Sequence, residues 1–426
     1  AGHILAVLKP STDESDSGCL SEQQRQLLKQ QITPQLLQQL THTACLRQSN
    51  HEIQDIAAFA ATASIPRYVI LDHLQQAVQQ RQTSVATALF AFQQAQSIDA
   101  GQLVGLLQQA LQNRDSSTVA QLACSNVLED RGMTLPACNS LTAEAVYELV
   151  AMALQYLPLE HRTINVLLQL PAAQRFSADA VAQLLQLAIH SIPPSNTEVP
   201  RDETTQLLVQ GHPIRVLLQL PAAAGIAADT VAILMHFTIE QGCYYRAQLL
   251  LQQEAALNMQ AHHLVELLQT LFQHSPDAHE AKWKTVKAIR LLPAAAEVST
   301  KDVTQLLRSQ TGNAIVLQWL LGLPGSRGLD TATLSQLLLF HHSRPQLMKQ
   351  LLDLPAAQLL ESAAVQMLLD ATLFAAQTLP MGAPVGSEDC VAILCKLPAA
   401  AKLDAERVIT WTQVRTSAFR RQCICV

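Results

Sequence analysis

The sequence predicts an all-α chain, a right-handed α-solenoid of about eleven stacked helical hairpins. Three observations predict it. The first is a repeated phrase: Leu167-Leu168-Gln169-Leu170-Pro171-Ala172-Ala173 returns almost letter for letter as Leu217 to Ala223. Its core, a leucine, a proline and small residues, recurs at Leu292-Pro293-Ala294-Ala295, Leu323-Pro324-Gly325, Leu354-Pro355-Ala356-Ala357 and Leu397-Pro398-Ala399-Ala400. The second is a fixed register behind each proline. Counting from Pro136, Pro171, Pro221, Pro293, Pro324, Pro355 and Pro398, position +5 is Leu141, Phe176, Ile226, Val298, Leu329, Leu360 and Leu403. Position +10 is Val146, Val181, Val231, Val303, Leu334, Val365 and Val408, and +13 is Leu149, Leu184, Leu234, Leu306, Leu337, Leu368 and Trp411. The third is composition: 49% hydrophobic but only 4% aromatic, with long Leu, Ala and Gln stretches, all good helix formers.

Each repeat reads as a helical hairpin of 31 to 50 residues. A first helix is expected to end at the leucine before proline, because proline has no N–H and forces its predecessor out of the α region. Ala-Ala lets the chain bend tightly. The second helix starts near +6, where Thr142, Ser177, Ser299, Asp330 and Asp404 offer oxygens to the open N–H groups of its first turn. The +5 residue is placed as a hydrophobic staple, and +10 and +13 form the buried stripe. The same offsets place proline-free corners at Leu27, Ala60, Gln93 and Glu254. Helices this short are not stable alone, so stability must come from stacking. Two insertions, Ser191–Thr205 and Thr378–Asp389, fall between a second helix and the next first helix, which places both on one edge. The domain reading is an acidic lead-in at 1–18, a repeat domain at 19–414 and a basic tail at 415–426.

A net charge of -6 argues against nucleic acid as partner, since phosphate binding needs a basic surface. Nine scattered cysteines do not form a disulfide framework and fit a reducing compartment. The run His3–Leu8 is too short for a secretory leader. The uncharged window from Ser309 falls in register with the repeat and reads as a buried helix, not a membrane span.

The most specific functional signal is Cys423-Ile424-Cys425-Val426, a C-a-a-X box for thioether prenylation of Cys423, by farnesyl or geranylgeranyl. A basic stretch precedes it: Lys396, Lys402, Arg407, Arg415, Arg420 and Arg421 stand against Asp404 and Glu406. One lipid holds a membrane only marginally, and the basic flank of Arg415, Arg420 and Arg421 supplies the second signal. Lys282, Trp283, Lys284 and Lys287, with Arg290, make a basic helical face that is a candidate partner-binding surface. His262-His263 with Glu266, and His341-His342, lack complete metal-ligand spacing and read as helix surface or packing between repeats. Cys390 and Cys395 read as core. No metal or other cofactor is expected, and no nucleophile elbow, phosphate loop or carboxylate pair is present, which turns the reading towards binding rather than catalysis.

A helical-repeat body ending in a prenylation box resembles the host-prenylated effectors that intracellular bacteria inject through a type IV (Dot/Icm-class) secretion system. The resemblance implies that a host prenyltransferase modifies Cys423 and that a prenyl-binding chaperone can escort the chain. It places the protein on the cytosolic face of a host endomembrane or plasma membrane, where the repeat surface would hold a host protein. The runner-up is an enzyme or small-GTPase regulator acting on a host trafficking protein.

Overall fold

The computed structural model describes residues 33–60, 65–123, 136–156, 161–191, 212–273, 280–310, 314–342, 344–378, 386–403 and 409. The lead-in, the corner at Leu27, residues 192–205 of the first insertion, residues 379–385 of the second, and Asp404, Val408 and Trp411 lie outside them. The protein is all-α, and no strand occurs among the described residues. No helix among them is long and apolar enough to cross a membrane. The chain divides into two compact units, Ala1–Ile226 and Ala227–Val426.

In the first unit the helices that follow a corner are α1 (Pro34–Leu46), α3 (Arg67–Gln79), α6 (Ala100–Gln112), α9 (Ala143–Tyr156) and α11 (Ala178–Ser191). Those that lead into the next corner are α2 (Asn50–Ala60), α4 (Thr83–Leu89), α7 (Ser116–Ala123), α10 (His161–Leu168) and α12 (Pro213–Leu218). Single turns α5 (Gln93–Gln96) and α8 (Pro136–Asn139) lie at corners. Packing runs between matching helices of successive repeats: α1 on α3, α3 on α6, α6 on α9 and α9 on α11. The partner layer runs α2 on α4, α4 on α7, α7 on α10 and α10 on α12.

The second unit repeats the plan. Its post-corner helices are α13 (Ala228–Glu240), α16 (Ala261–Gln273), α18 (Thr300–Ser309), α20 (Thr331–Phe340) and α22 (Ser362–Thr378). Its pre-corner helices are α14 (Tyr244–Leu251), α17 (Glu280–Arg290), α19 (Ala314–Leu320), α21 (Pro345–Leu352) and α23 (Gly386–Leu394), with α15 (Glu254–Leu257) as a corner turn. Here α13 packs on α16, α16 on α18 and α20 on α22; α14 packs on α17, α19 on α21 and α21 on α23. Gly386–Asp389, read from sequence as insertion, is the first turn of α23.

The corner differs from the sequence expectation in an instructive way. The first helix stops short of the leucine before proline: α10 ends at Leu168, α12 at Leu218, α17 at Arg290 and α19 at Leu320. Proline then opens a separate one-turn 3₁₀ helix, at Pro221–Gly225, Pro293–Ala296, Pro324–Gly328, Pro355–Leu359 and Pro398–Lys402. The cause is the residue before proline. Leu220, Leu292, Leu323, Leu354 and Leu397 are all extended, with φ between -65 and -76° and ψ between 142 and 146°, as the proline ring requires. An α-helix cannot run through that conformation, whereas a new turn can start on proline, whose missing N–H is no loss at the first helical position. The leucine carbonyl accepts from the N–H of +2, at 2.9–3.0 Å, in every one of these corners. Phe92 and Gln253 adopt the same conformation without proline and accept from Ala95 and Ala256 at 3.0 Å, so the geometry belongs to the corner and proline only predisposes the chain to it.

The predicted core is borne out position by position. Every described residue at +5, +10 and +13 behind the seven prolines is buried, save Leu403, which is intermediate. The fitted corners behave alike: Ile65, Ile70, Ile98, Leu103, Leu106, Met259, Leu264 and Leu267 are buried. Each fully buried aliphatic side chain contributes about 1.5–3 kcal/mol. In the predicted caps, Thr142, Ser177 and Ser299 accept from the N–H groups of Ala145, Ala180 and Asp302 at 3.2, 3.1 and 3.2 Å. Asp330 accepts from the Thr333 N–H at 2.6 Å, and this bond, with one from the Thr333 hydroxyl, holds its carboxyl below the ordinary range. The +2 residue is small in every described corner and buried at Ala95, Cys138, Ala173, Ala223, Ala256, Ala295, Ser326 and Ala357, while Ala400 is intermediate.

Two kinds of backbone position carry specific demands. At Gly325 a Cβ would sit 2.5 Å from the Val298 carbonyl oxygen and 3.0 Å from a Val303 methyl, because this corner presses on the preceding repeat. Gly325→Ala is therefore expected to destabilise the chain by about 1–3 kcal/mol, although alanine is the native residue at the matching Ala294 and Ala356; urea unfolding reads the difference. Gln48, Arg81 and Arg114 end α1, α3 and α6 at φ of 55, 55 and 54°, while Gly242 ends α13 at 72°. Arg81→Gly and Arg114→Gly should each raise stability by up to about 1 kcal/mol, seen as a higher denaturation midpoint with unchanged slope.

Candidate functional site

The prenylation box Cys423-Ile424-Cys425-Val426 and its basic flank Arg415, Arg420 and Arg421 lie outside the described residues. The candidate basic face on α17 is described, and the structure splits it. Lys282 is turned inward, only 4% exposed, and Trp283 is half-buried, leaving Lys284, Lys287 and Arg290 at the surface. The reason is the heptad-like register of α17: Lys282, Thr285, Val286 and Ile289 share the stripe that packs on α14. Arg246 of α14 is also fully buried. Neither cation is without a partner, as burial of charge requires. Gln248 donates to Thr285 Oγ1 at 3.2 Å, and that hydroxyl donates to the Tyr244 carbonyl at 3.3 Å. The α14–α17 contact is thus a polar seam, and the exposed part of the basic face is Lys284, Lys287 and Arg290.

The sequence reading of two core cysteines is half corrected. Cys390 is buried, but Cys395 is exposed because α23 ends at Leu394 and the chain turns outward there. Burial pushes the Cys45 thiol up to about 11, which disfavours its thiolate.

An open groove between α13 and α16 is where polar and apolar groups converge. It has a volume of about 250 Å³ and is walled by Ala232, Ile233, Phe237 and Leu267, with His236, His263 and Glu266 at its edge. Each histidine is held by a neighbour. His236 Nε2 lies 3.0 Å from Thr270 Oγ1, and its Nδ1 lies 3.6 Å from Glu240. His263 Nε2 lies 3.6 Å from Asp229, its Nδ1 accepts from the Gln260 N–H at 3.4 Å, and its ring lies 3.9 Å from that of His262. Ile233 is 55% exposed. No group of three or more His, Cys, Asp or Glu side chains poised for a metal occurs among the described residues. His263 and Glu266 were noticed in the sequence; His236, Asp229 and Glu240 were not. The signal was available in the register: Ile233 and Glu266 are both +12 of adjacent corners, the outward ridge of their helices.

A second polar contact joins α1 and α3. His73 takes the +13 place that leucine fills in most other repeats; it is 8% exposed, and its ring lies tilted 5.3 Å from that of His42. Burial lowers its pKa, with the neighbouring His42 adding to the effect and Asp72 opposing it. His341 is likewise buried, and His342 bonds the Leu339 carbonyl at 2.7 Å.

No known protein family, curated protein or solved structure matches this chain.

His73 makes the fold acid-sensitive in a defined direction. The folded chain holds it less protonated than the unfolded chain, so unfolding takes up a proton once the pH drops below the ordinary histidine value of 6.5. Its contribution is complete above that pH and declines on acidification. His73→Leu restores the residue usual at +13, and should lose less stability than the native chain between about pH 7.5 and about pH 5.5 in parallel urea titrations; equal losses would show that His73 is not the sensor.

Proposed function

We propose that the chain is a membrane-tethered helical-repeat scaffold, an α-solenoid that holds a host protein on its surface after a host prenyltransferase modifies Cys423. The observation that carries this reading is Cys423-Ile424-Cys425-Val426 behind a stretch rich in lysine and arginine. The tether requires Val426 to bear the free carboxylate, the group by which such a box is recognised. The thioether forms when the Cys423 sulfur displaces the diphosphate of an isoprenoid diphosphate. A single chain of this kind gives weak, reversible membrane binding, and Arg415, Arg420 and Arg421 add attraction to anionic headgroups at roughly 1 kcal/mol each.

The repeat body supports the scaffold half. In each unit, helices pack on the matching helices of the next repeat. That leaves the outward ridges as a regular surface that varies in side chain while the backbone stays constant, the property that suits helical repeats to binding. In this reading the protein is a bacterial effector acting on the cytosolic face of a host membrane.

Cys423→Ser separates the tether from the scaffold. Expressed in animal cells, the native chain should fractionate with membranes and gain the mass of one prenyl group, and Cys423→Ser should be cytosolic and unmodified. Identical fractionation of the two chains would remove the lipid from the reading.

A further inference from the structure

The groove between α13 and α16 bears a charge pattern that selects its occupant. The two helices carry Asp229, Glu240 and Glu266 and contain no lysine or arginine. The formal charges that these two helices bring to the rim are therefore all carboxylates. The carboxylates sit where they act on a ligand in the groove: Glu266 lines it, Asp229 lies against His263, and Glu240 against His236. All three are exposed or nearly so, and their charge meets an incoming partner before any contact forms. Inside the rim the surface is apolar. Ile233 stands 55% exposed at a position filled by Gln183, Gln305 and Gln336 in other repeats. At about 250 Å³ the space is smaller than the roughly 300–1,000 Å³ of small-molecule sites, and suits one side chain of a larger ligand.

We propose that this groove docks a basic amphipathic segment of a partner protein, one apolar side chain seating against Ile233 and Phe237 while flanking lysines or arginines meet Asp229, Glu240 and Glu266. An apolar anchor with flanking charges is the helix-in-groove mode of recognition, in which burial supplies affinity and the rim supplies specificity and on-rate. His236 and His263 serve as props: Thr270 and Glu240 hold the one, Asp229 and the Gln260 N–H the other, so the walls are formed before the ligand arrives. An acidic partner or a phosphate backbone is repelled by the same rim. The proposal rests on the scaffold reading and names the chemistry of its partner.

The test uses the full chain and three fluorescein-labelled helical peptides: an alanine–lysine helix with one central leucine, the same helix with serine for that leucine, and the same helix with glutamate for every lysine. Only the first should bind well. Its affinity should fall with added salt, and should drop at least about tenfold on Ile233→Ser and again on Glu266→Lys. Both substitutions fall at exposed positions, and an unchanged helical circular dichroism spectrum confirms that the fold persists. Equal binding of the glutamate peptide, or binding unaffected by both substitutions, overturns the proposal. Absence of binding by the lysine–leucine peptide also overturns it, and leaves the scaffold reading standing if the chain still retains a host protein on membranes. If the peptide binds in the groove but the prenylated chain retains no host protein, the groove assignment holds and the scaffold reading falls.

Discussion

One hydrogen bond organises the repeats: the carbonyl of the residue before each corner accepts from the N–H two residues past the corner start. That bond closes a single turn over the first two corner residues, while the extended residue that accepts it ends the first helix; the +2 residue that donates is small, and is buried in every described corner but the last, where Ala400 is intermediate. From this follow the short first helix, the separate one-turn helix and the +5 residue delivered as the lid of the next stripe. Proline makes the conformation the default, but Phe92 and Gln253 reach it unaided, since packing of the flanking helices supplies what the ring would have imposed.

Much of this was legible in the sequence because it is periodic. Val146, Val181 and Val231 stand at one offset and meet one environment, so seven imperfect copies average away the noise of any single one. The caps at Thr142, Ser177, Ser299 and Asp330 were legible for the same reason. What was not legible depends on three-dimensional neighbours. Lys282 looks solvated by its charge and turns inward because its register faces α14, where Arg246 is buried too. Cys395 looks like core by its company and faces out because α23 has already ended. The candidate groove needed the pairing of α13 with α16 before Asp229 and His263, separated by a whole repeat in sequence, became partners.

The functional reading joins two kinds of information that stay separate in the molecule. In the proposed reading the tail motif concerns where the protein acts, and the groove concerns what it touches. Polar groups in the body fall into two classes. Those that cross between repeats under cover, such as Thr285 with Gln248 and Tyr244, fix alignment. Those at the outward ridge, such as Glu266, are free to vary without disturbing the core, and it is there that a repeat protein acquires a partner.

The packing of each helix on its counterparts in adjacent repeats has a mechanical consequence. Among the described residues, the main packing within a unit joins each helix to its own hairpin partner and to the adjacent repeats, so an end hairpin detaches by losing the contacts with its neighbour alone. Such a structure yields in small successive steps instead of one large rupture, and each step exposes only a hairpin's worth of apolar surface. Because these contacts are short in sequence, each hairpin can re-form on its neighbour without waiting for a distant partner.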